Sequence, residues 1–357
     1  MLVVVQFLGR VDAVAEGPER ERWFMISILN FADNLCRAVM RKKSILCCGL
    51  DPQIRYMPPH LIREAIARHG RSFKAVHWLF VEFNCQIIDA IYDLVACVKP
   101  QMAFYEEYGA EGVAAFEETV SYARKKKGLL VVEDAKRGDG GDTADAYADG
   151  HLGEVPFFSA TDDMAALTRC LSPIRVDCMT VHGYIADDCV CRFIARVKEH
   201  GTGIFVVDKT SFKPNSAVEQ LVTTSGRKVW QELAEMASKW GVGTEGEFGL
   251  RNVGAVMGAT YPEEAISMRA ILPDSILLIP GFGGQGATAD DAVVGIRSDG
   301  FGGIVNNSRN LLYAWQNGKG KYQCAGERFA DAARSQAIDD RDALIAACRK
   351  FNKWPHS

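Results

Sequence analysis

The chain has 357 residues, 48% hydrophobic and 24% charged, a balance able to bury a large core. Its net charge of −4 provides no broad basic field for nucleic acid, and no apolar run approaches the ~20 residues of a membrane span. Eleven cysteines, an odd number at irregular spacing, fit reduced thiols in a cytoplasmic core better than a disulfide framework.

The chain starts with MLVVVQFLGR, which lacks a basic lead and is soon followed by the charged stretch Glu16 to Arg22, so a secretory signal is disfavoured. Residues 1–29 are read as an N-terminal extension without an assigned role, with Met25 as an alternative start. Residues 30–357 are read as a single domain. Its first apolar, strand-like run is Ile45–Pro52, followed by a helical stretch at His60–Leu94 and a second strand at Leu94–Phe104. A helix over Glu111–Gly128 leads to a third strand, Gly128–Asp139, and a short helix is expected at Asp163–Leu171. The fourth strand is Asp177–Tyr184, and a helix at Asp187–Gly201 precedes the fifth, Gly203–Ser211. Helices at Ser216–Gly241, Thr260–Pro273 and Thr288–Gly300 precede strands at Asn252–Thr260, Ser275–Gly286 and Gly300–Asn310. From about residue 321 the tail is helical, with an amphipathic pattern over Glu327–Phe351.

Eight β–α alternations with near-continuous apolar strands predict an α/β fold, a (β/α)8 TIM barrel; a doubly wound open sheet is the alternative. In a barrel, function gathers at the C-terminal ends of the strands. Those ends carry Asp51, Lys99, Asp134, Lys136, His182, Ser211, Gln285 and Arg309.

The densest group is VVEDAKRGDGGDTADAYA, Val131 to Ala148. Asp134 and Lys136 are two apart on a strand and therefore share a face. Asp139 follows in a loop containing Gly138, Gly140 and Gly141. With Lys99 these form an alternating array of two cations and two anions, able to deliver a proton to a developing carbanion. The bland alternative is a solvated surface cluster. Further on, Gly281, Gly283 and Gly286 have the G-x-G-x-x-G spacing. Alone this is weak evidence for a dinucleotide, and it lies far from an early βαβ unit. Backbone N–H groups exposed at Gly283 to Gly286, with Arg309 on the next strand, suit one phosphate dianion instead. Glycine making tight turns is the simpler alternative.

Taken together, CCGLDP, VKPQMAFYEEYG, DAKRGDGGDTADAYA, TVHGYIADD, VVDKTSFKPNSAVEQ, GAVMGATYPEE, LLIPGFGGQGAT and GGIVNNSRN resemble, in family order, the orotidine 5′-phosphate decarboxylases of the longer bacterial type. The match runs over roughly Asn30 to Trp315; the D-x-K-x-x-D core alone is shared with other phosphosugar-acting barrels. The resemblance implies a dimeric barrel that converts orotidine 5′-phosphate to UMP with no cofactor and no metal. It implies that Lys136 protonates C6, that Asp134 sits beside the departing carboxylate, and that Asp51 and Lys99 hold ribose hydroxyls. It further implies that Asp139 and Thr143 reach the partner's site, that Ser211 meets the pyrimidine amide edge, and that Pro280 lines the substrate site. Gln285 and Arg309 would hold phosphate, backed by the Gly283 and Gly284 backbone. Departures from the family pattern are Gly140, where isoleucine is usual, Phe212 in place of asparagine, extra acids at Asp142 and Asp145, and Glu133 facing the helix layer without an evident partner. Two other readings remain open from sequence: a magnesium-dependent sugar-phosphate barrel enzyme and a non-catalytic nucleotide-phosphate binder.

Overall fold

The computed structural model describes residues 30–126, 129–159, 167–184, 186–212, 217–317 and 321–356. The N-terminal extension therefore lies outside the described residues. Helix α1 (Phe31–Lys42) precedes strand β1 (Leu46–Leu50), and helices α2 (Pro59–His69) and α3 (Phe73–Ile91) lead to β2 (Cys97–Pro100). Helix α4 (Gly109–Lys125) leads to β3 (Leu130–Arg137), which is followed by α5 (Gly141–Leu152) and the strands β4 (Glu154–Phe158) and β5 (Leu167–Leu171). The order continues with β6 (Cys178–His182), α6 (Asp187–His200), β7 (Gly203–Lys209), α7 (Val229–Trp240) and β8 (Arg251–Met257). It closes with α8 (Pro262–Ile271), β9 (Ser275–Ile279), α9 (Ala289–Val293), β10 (Gly303–Asn307) and the tail helix α10 (Phe329–Lys350).

Eight strands form a closed parallel barrel in the order β1-β10-β9-β8-β7-β6-β3-β2, which excludes the open-sheet alternative. Every residue of β1, β2, β7, β9 and β10 is buried, because side chains fill the barrel interior on one face and meet helices on the other. All eight predicted strands are present.

Three local expectations need correcting. The stretch around 163–171 is not a helix where described: Leu167–Leu171 pairs antiparallel with Glu154–Phe158. A nine-residue helix is marginal on its own, and pairing satisfies the same backbone groups. Residues 163–166 lie outside the described residues. Second, the loop expected to contain Gly138, Gly140 and Gly141 is shorter, because helix α5 begins at Gly141 and takes Thr143 into its first turn. Third, the stretch His60–Leu94 splits at Gly70, whose φ of 67° ends α2. Helix α1 was not anticipated; Asn30 caps it, and its Asp33 carboxylate accepts from the N–H groups of Glu247 and Phe248.

The tail helix packs back on the barrel. Phe329 stacks on Phe83 with centroids 5.1 Å apart, and Arg334 donates to the Ala90 carbonyl and to both oxygens of Asp93.

Candidate active site

A cavity of about 390 Å³ opens at the C-terminal ends of the strands. Its lining includes Asp51, Lys99, Asp134, Lys136, Ser211, Pro280, Gly284, Gln285 and Arg309, which reach it from β2, β3 and the segments that follow β1, β7, β9 and β10. The barrel thus gathers residues as far apart in the chain as Asp51 and Tyr313.

The charged centre is a chain of ion pairs. Lys99 Nζ lies 2.8 Å from Asp134 Oδ2, and Lys136 Nζ lies 2.5 Å from Asp134 Oδ1. Thr180 donates its hydroxyl to Asp134 Oδ1 at 3.0 Å. Burial alone would raise the Asp134 pKa, but Lys99 and Lys136 hold the carboxyl well below the usual range. Burial alone would lower that of Lys99, yet Asp134 and Asp51 carry its ammonium above an ordinary lysine. Asp51 is pushed up by burial, which outweighs the pull of Lys99, and its Oδ1 has no hydrogen-bond partner among the described residues. An acceptor held in this way is ready for a ligand hydroxyl.

Strand β3 is not regular where it delivers Lys136. Glu133 pairs with Met179 and Arg137 with Val181, so four steps along β3 match two along β6. Lys136 has φ 50°, a left-handed conformation that costs a non-glycine residue roughly 1 kcal/mol or more. Its N–H donates to Thr180 Oγ1 at 2.9 Å, which secures the bulge. Asp134 and Lys136 do project together, but through this bulge rather than through plain strand alternation.

Asp139 and Thr143 stand apart from the cavity of their own chain. Asp139 is exposed, accepting the Gly140 N–H at 2.7 Å, and Thr143 is exposed on α5. Neither lines the cavity, nor does His182, whose pKa burial and Lys136 both lower. Gly140 has φ −111°, and a Cβ there would meet only Cys189 Sγ at 3.6 Å, an ordinary contact.

Asp142 is exposed and does not line the cavity. Asp145 pairs with Arg192 at 2.9 Å and Arg196 at 3.3 Å on α6. Glu133 finds its partner in His151 of α5, at 2.7 Å. Phe212 is 68% exposed and lines the cavity, and its backbone carbonyl accepts from the Tyr261 hydroxyl.

At the opposite wall, Gly281, Gly283 and Gly286 have φ of 107°, 72° and 90°. Their spacing is conformational: each occupies a region that other residues rarely adopt. The expectation of exposed N–H groups here needs correcting. Those of Gly283, Gly284 and Gly286 donate to Ala287, Phe282 and Gly283 carbonyls, and Gly283 is not a lining residue. Short loops satisfy their own backbone when no ligand does so. Arg309 is exposed in the cavity and makes no ion pair among the described residues.

Several lining residues were not singled out from the sequence. Tyr313 donates to the Asp51 carbonyl and accepts from the Gln53 N–H, tying the end of the barrel to its beginning. Gln53, Asn306 and Asn307 carried a signal only in being polar residues near strand ends, as did Thr180, which lies behind the lining and holds Asp134 and Lys136. Among the described residues, no group of three or more histidine, cysteine, aspartate or glutamate side chains is arranged to hold a metal ion. No described helix is long and apolar enough to cross a membrane.

Comparison with known proteins places this geometry. Residues 44–303 match the model of the orotidine 5′-phosphate decarboxylase / HUMPS family. An orotidine 5′-phosphate decarboxylase of Rhodopirellula baltica is 36% identical over 317 residues, 89% of this chain and 99% of its own. One from Caldicellulosiruptor saccharolyticus is 34% identical, covering 81% of this chain and 92% of its own. The solved Leishmania donovani OMP decarboxylase is 28% identical with a TM-score of 0.61, covering 88% of this chain and all of its own (100%). The chain belongs to the orotidine 5′-phosphate decarboxylase / HUMPS family.

Proposed function

We propose that this protein decarboxylates orotidine 5′-phosphate to UMP and carbon dioxide, the last step of de novo UMP synthesis. The observation that carries the reading is the Lys99–Asp134–Lys136 ion-pair chain set across one cavity from an unpaired Arg309. The family also contains sugar-phosphate enzymes, but the relatives matched over nearly their whole length are orotidine 5′-phosphate decarboxylases. The C6–carboxylate bond breaks, the electron pair stays on C6, and the Lys136 ammonium gives C6 a proton. Lysine then regains a proton from water. Asp134, kept ionised by its two lysines, holds the Lys136 ammonium at the reacting face. Asp51 accepts from ribose, Ser211 meets the base, Pro280 packs against it, and Gln285 with Arg309 binds phosphate. For the Gly283 and Gly284 N–H groups to join them, the loop must exchange its internal bonds for phosphate contacts. Binding energy from this remote group then favours the reactive arrangement.

The protein acts as a homodimer in this reading. Asp139 and Thr143 are exposed and outside their own cavity, as residues serving a partner's site would be. A cytoplasmic location is supported by eleven cysteines that are all unpaired.

The test is the loss of orotidine 5′-phosphate ultraviolet absorbance in metal-free, chelator-treated buffer. Lys136→Ala abolishes turnover while retaining UMP binding. Wild-type-like turnover in that variant overturns the mechanism, and activity that disappears with chelator points to the sugar-phosphate branch.

A further inference from the structure

The buried face of α10 is built from Phe329, Ala332, Ala333, Ala337, Leu344, Ala347 and Cys348, with one charged exception, Asp340. It is 6% exposed and makes no ion pair among the described residues. A lone buried carboxyl on an apolar stripe is costly unless its hydrogen bonds are used. Those of Asp340 are. Its Oδ2 accepts from Asn307 Nδ2 at 2.6 Å, and its Oδ1 accepts from Gln336 Nε2 at 2.8 Å within the same helix.

Asn307 is the last residue of β10 and two before Arg309. It is 3% exposed and lines the cavity. It also abuts the glycine loop: a Cβ on Gly283 would lie 3.7 Å from Asn307 Nδ2 and 2.9 Å from Asn310 Nδ2. Between Asn307 and Arg309, Ser308 turns the chain with φ −115° and ψ −83°. One amide therefore touches the strand exit that carries Arg309 and the loop that carries Gln285, and the tail helix grips that amide from outside.

We propose that Asp340 is a positioning residue for the phosphate end of the cavity: through Asn307 it holds the β10 exit, and with it Arg309, against the glycine loop. The carboxyl touches no substrate. Its pKa is pushed up to about 6 by burial, against the pull of the Gln336 and Asn307 hydrogen bonds, with Asp339 adding to the rise. The inference rests on the reading of this cavity end as the phosphate site.

The experiment compares ligands with and without a phosphate on the full-length chain. Calorimetry at pH 8 measures UMP and uridine binding to wild type, Asp340→Ala, Asp340→Asn and Asn307→Ala. Asp340→Ala and Asn307→Ala weaken UMP roughly tenfold and leave uridine within twofold; Asp340→Asn, which keeps an acceptor for Asn307, restores UMP binding to within threefold. In turnover, KM for the nucleotide rises about tenfold with kcat nearly unchanged. Equal weakening of UMP and uridine, no weakening of UMP, or failure of Asp340→Asn to restore it overturns the proposal. Should Asp340→Ala not fold, Asp340→Leu, which removes the acceptor and keeps the volume, decides by the same ratio. Absence of wild-type decarboxylation would sink the activity, while the UMP-to-uridine ratios would still decide this role.

Discussion

Lys99→Met tests the charged centre directly. Lys99 is 4% exposed and Asp134 8% exposed, and their charged atoms are 2.8 Å apart. At an effective dielectric of about 20, that separation gives a gross attraction of about 6 kcal/mol. Desolvation offsets part of it, so the useful quantity is the cost of leaving one partner behind, about 3–5 kcal/mol for a buried pair. Methionine fills most of the lysine stem, so little of the loss comes from packing. Asp134 retains Lys136, whose side chain is 41% exposed and a weaker substitute. The sign with pH follows. The folded-state pKa of Asp134 is depressed, so its contribution is fully present above the unfolded carboxylate value of about 3.9 and is lost as pH falls below it. In Lys99→Met that contribution is reduced, and burial, no longer opposed by Lys99, raises the Asp134 pKa. Urea unfolding therefore shows a stability gap of about 3–5 kcal/mol at pH 7 that narrows towards pH 4, as protonation removes the orphaned charge. Lys99→Met/Asp134→Asn recovers part of the loss, because the Asp134 charge that the first change orphaned is then gone. A neutral-pH gap below about 1 kcal/mol, or one that does not narrow in acid, refutes the reasoning.

A mixture of Asp139→Ala and Lys136→Ala subunits regains part of the activity that each lacks alone, measured by the absorbance assay on verified heterodimers; no recovery counts against a site shared between subunits. Arg269 donates to the carbonyls of Leu272, Ser275, Gly295 and Gly302 at the closed end of the barrel. Arg269→Ala orphans several of these acceptors and lowers stability by about 3 kcal/mol in urea, with kcat unchanged. Gly140→Ala is expected to change stability by less than about 0.5 kcal/mol in the same assay, since the backbone is compatible and a Cβ meets only Cys189 at ordinary contact distance, while glycine is the better N-cap of α5. Gly140→Ile, which supplies the larger side chain the family usually has there, is expected to lower KM for the nucleotide.

Much of this protein is legible in its sequence for a plain reason. Eight apolar β-branched runs, separated by amphipathic helices, have few ways to bury every strand on both faces, and the closed barrel is one of them. Polar residues ending those runs are necessarily collected at one rim, which is why nine of the predicted site residues line a single cavity. What the sequence could not supply depends on contacts between distant segments. Thr180 secures the bulge that turns Lys136 into the cavity, 44 residues away along the chain. The His151 partner of Glu133 and the Tyr313 link to Asp51 exist only once the barrel closes. Local pattern also misread the connection after β3, where a strand pairing in a hairpin prevailed over a weak helical signal. The same limit applied to the glycine loop: spacing suggested free N–H donors, whereas in the closed loop those of Gly283, Gly284 and Gly286 donate to carbonyls of the loop itself. Periodicity and the chemistry of strand ends were thus written in the chain, while register, bulge and pairing were decided by which backbone and side-chain groups could satisfy each other in the packed barrel.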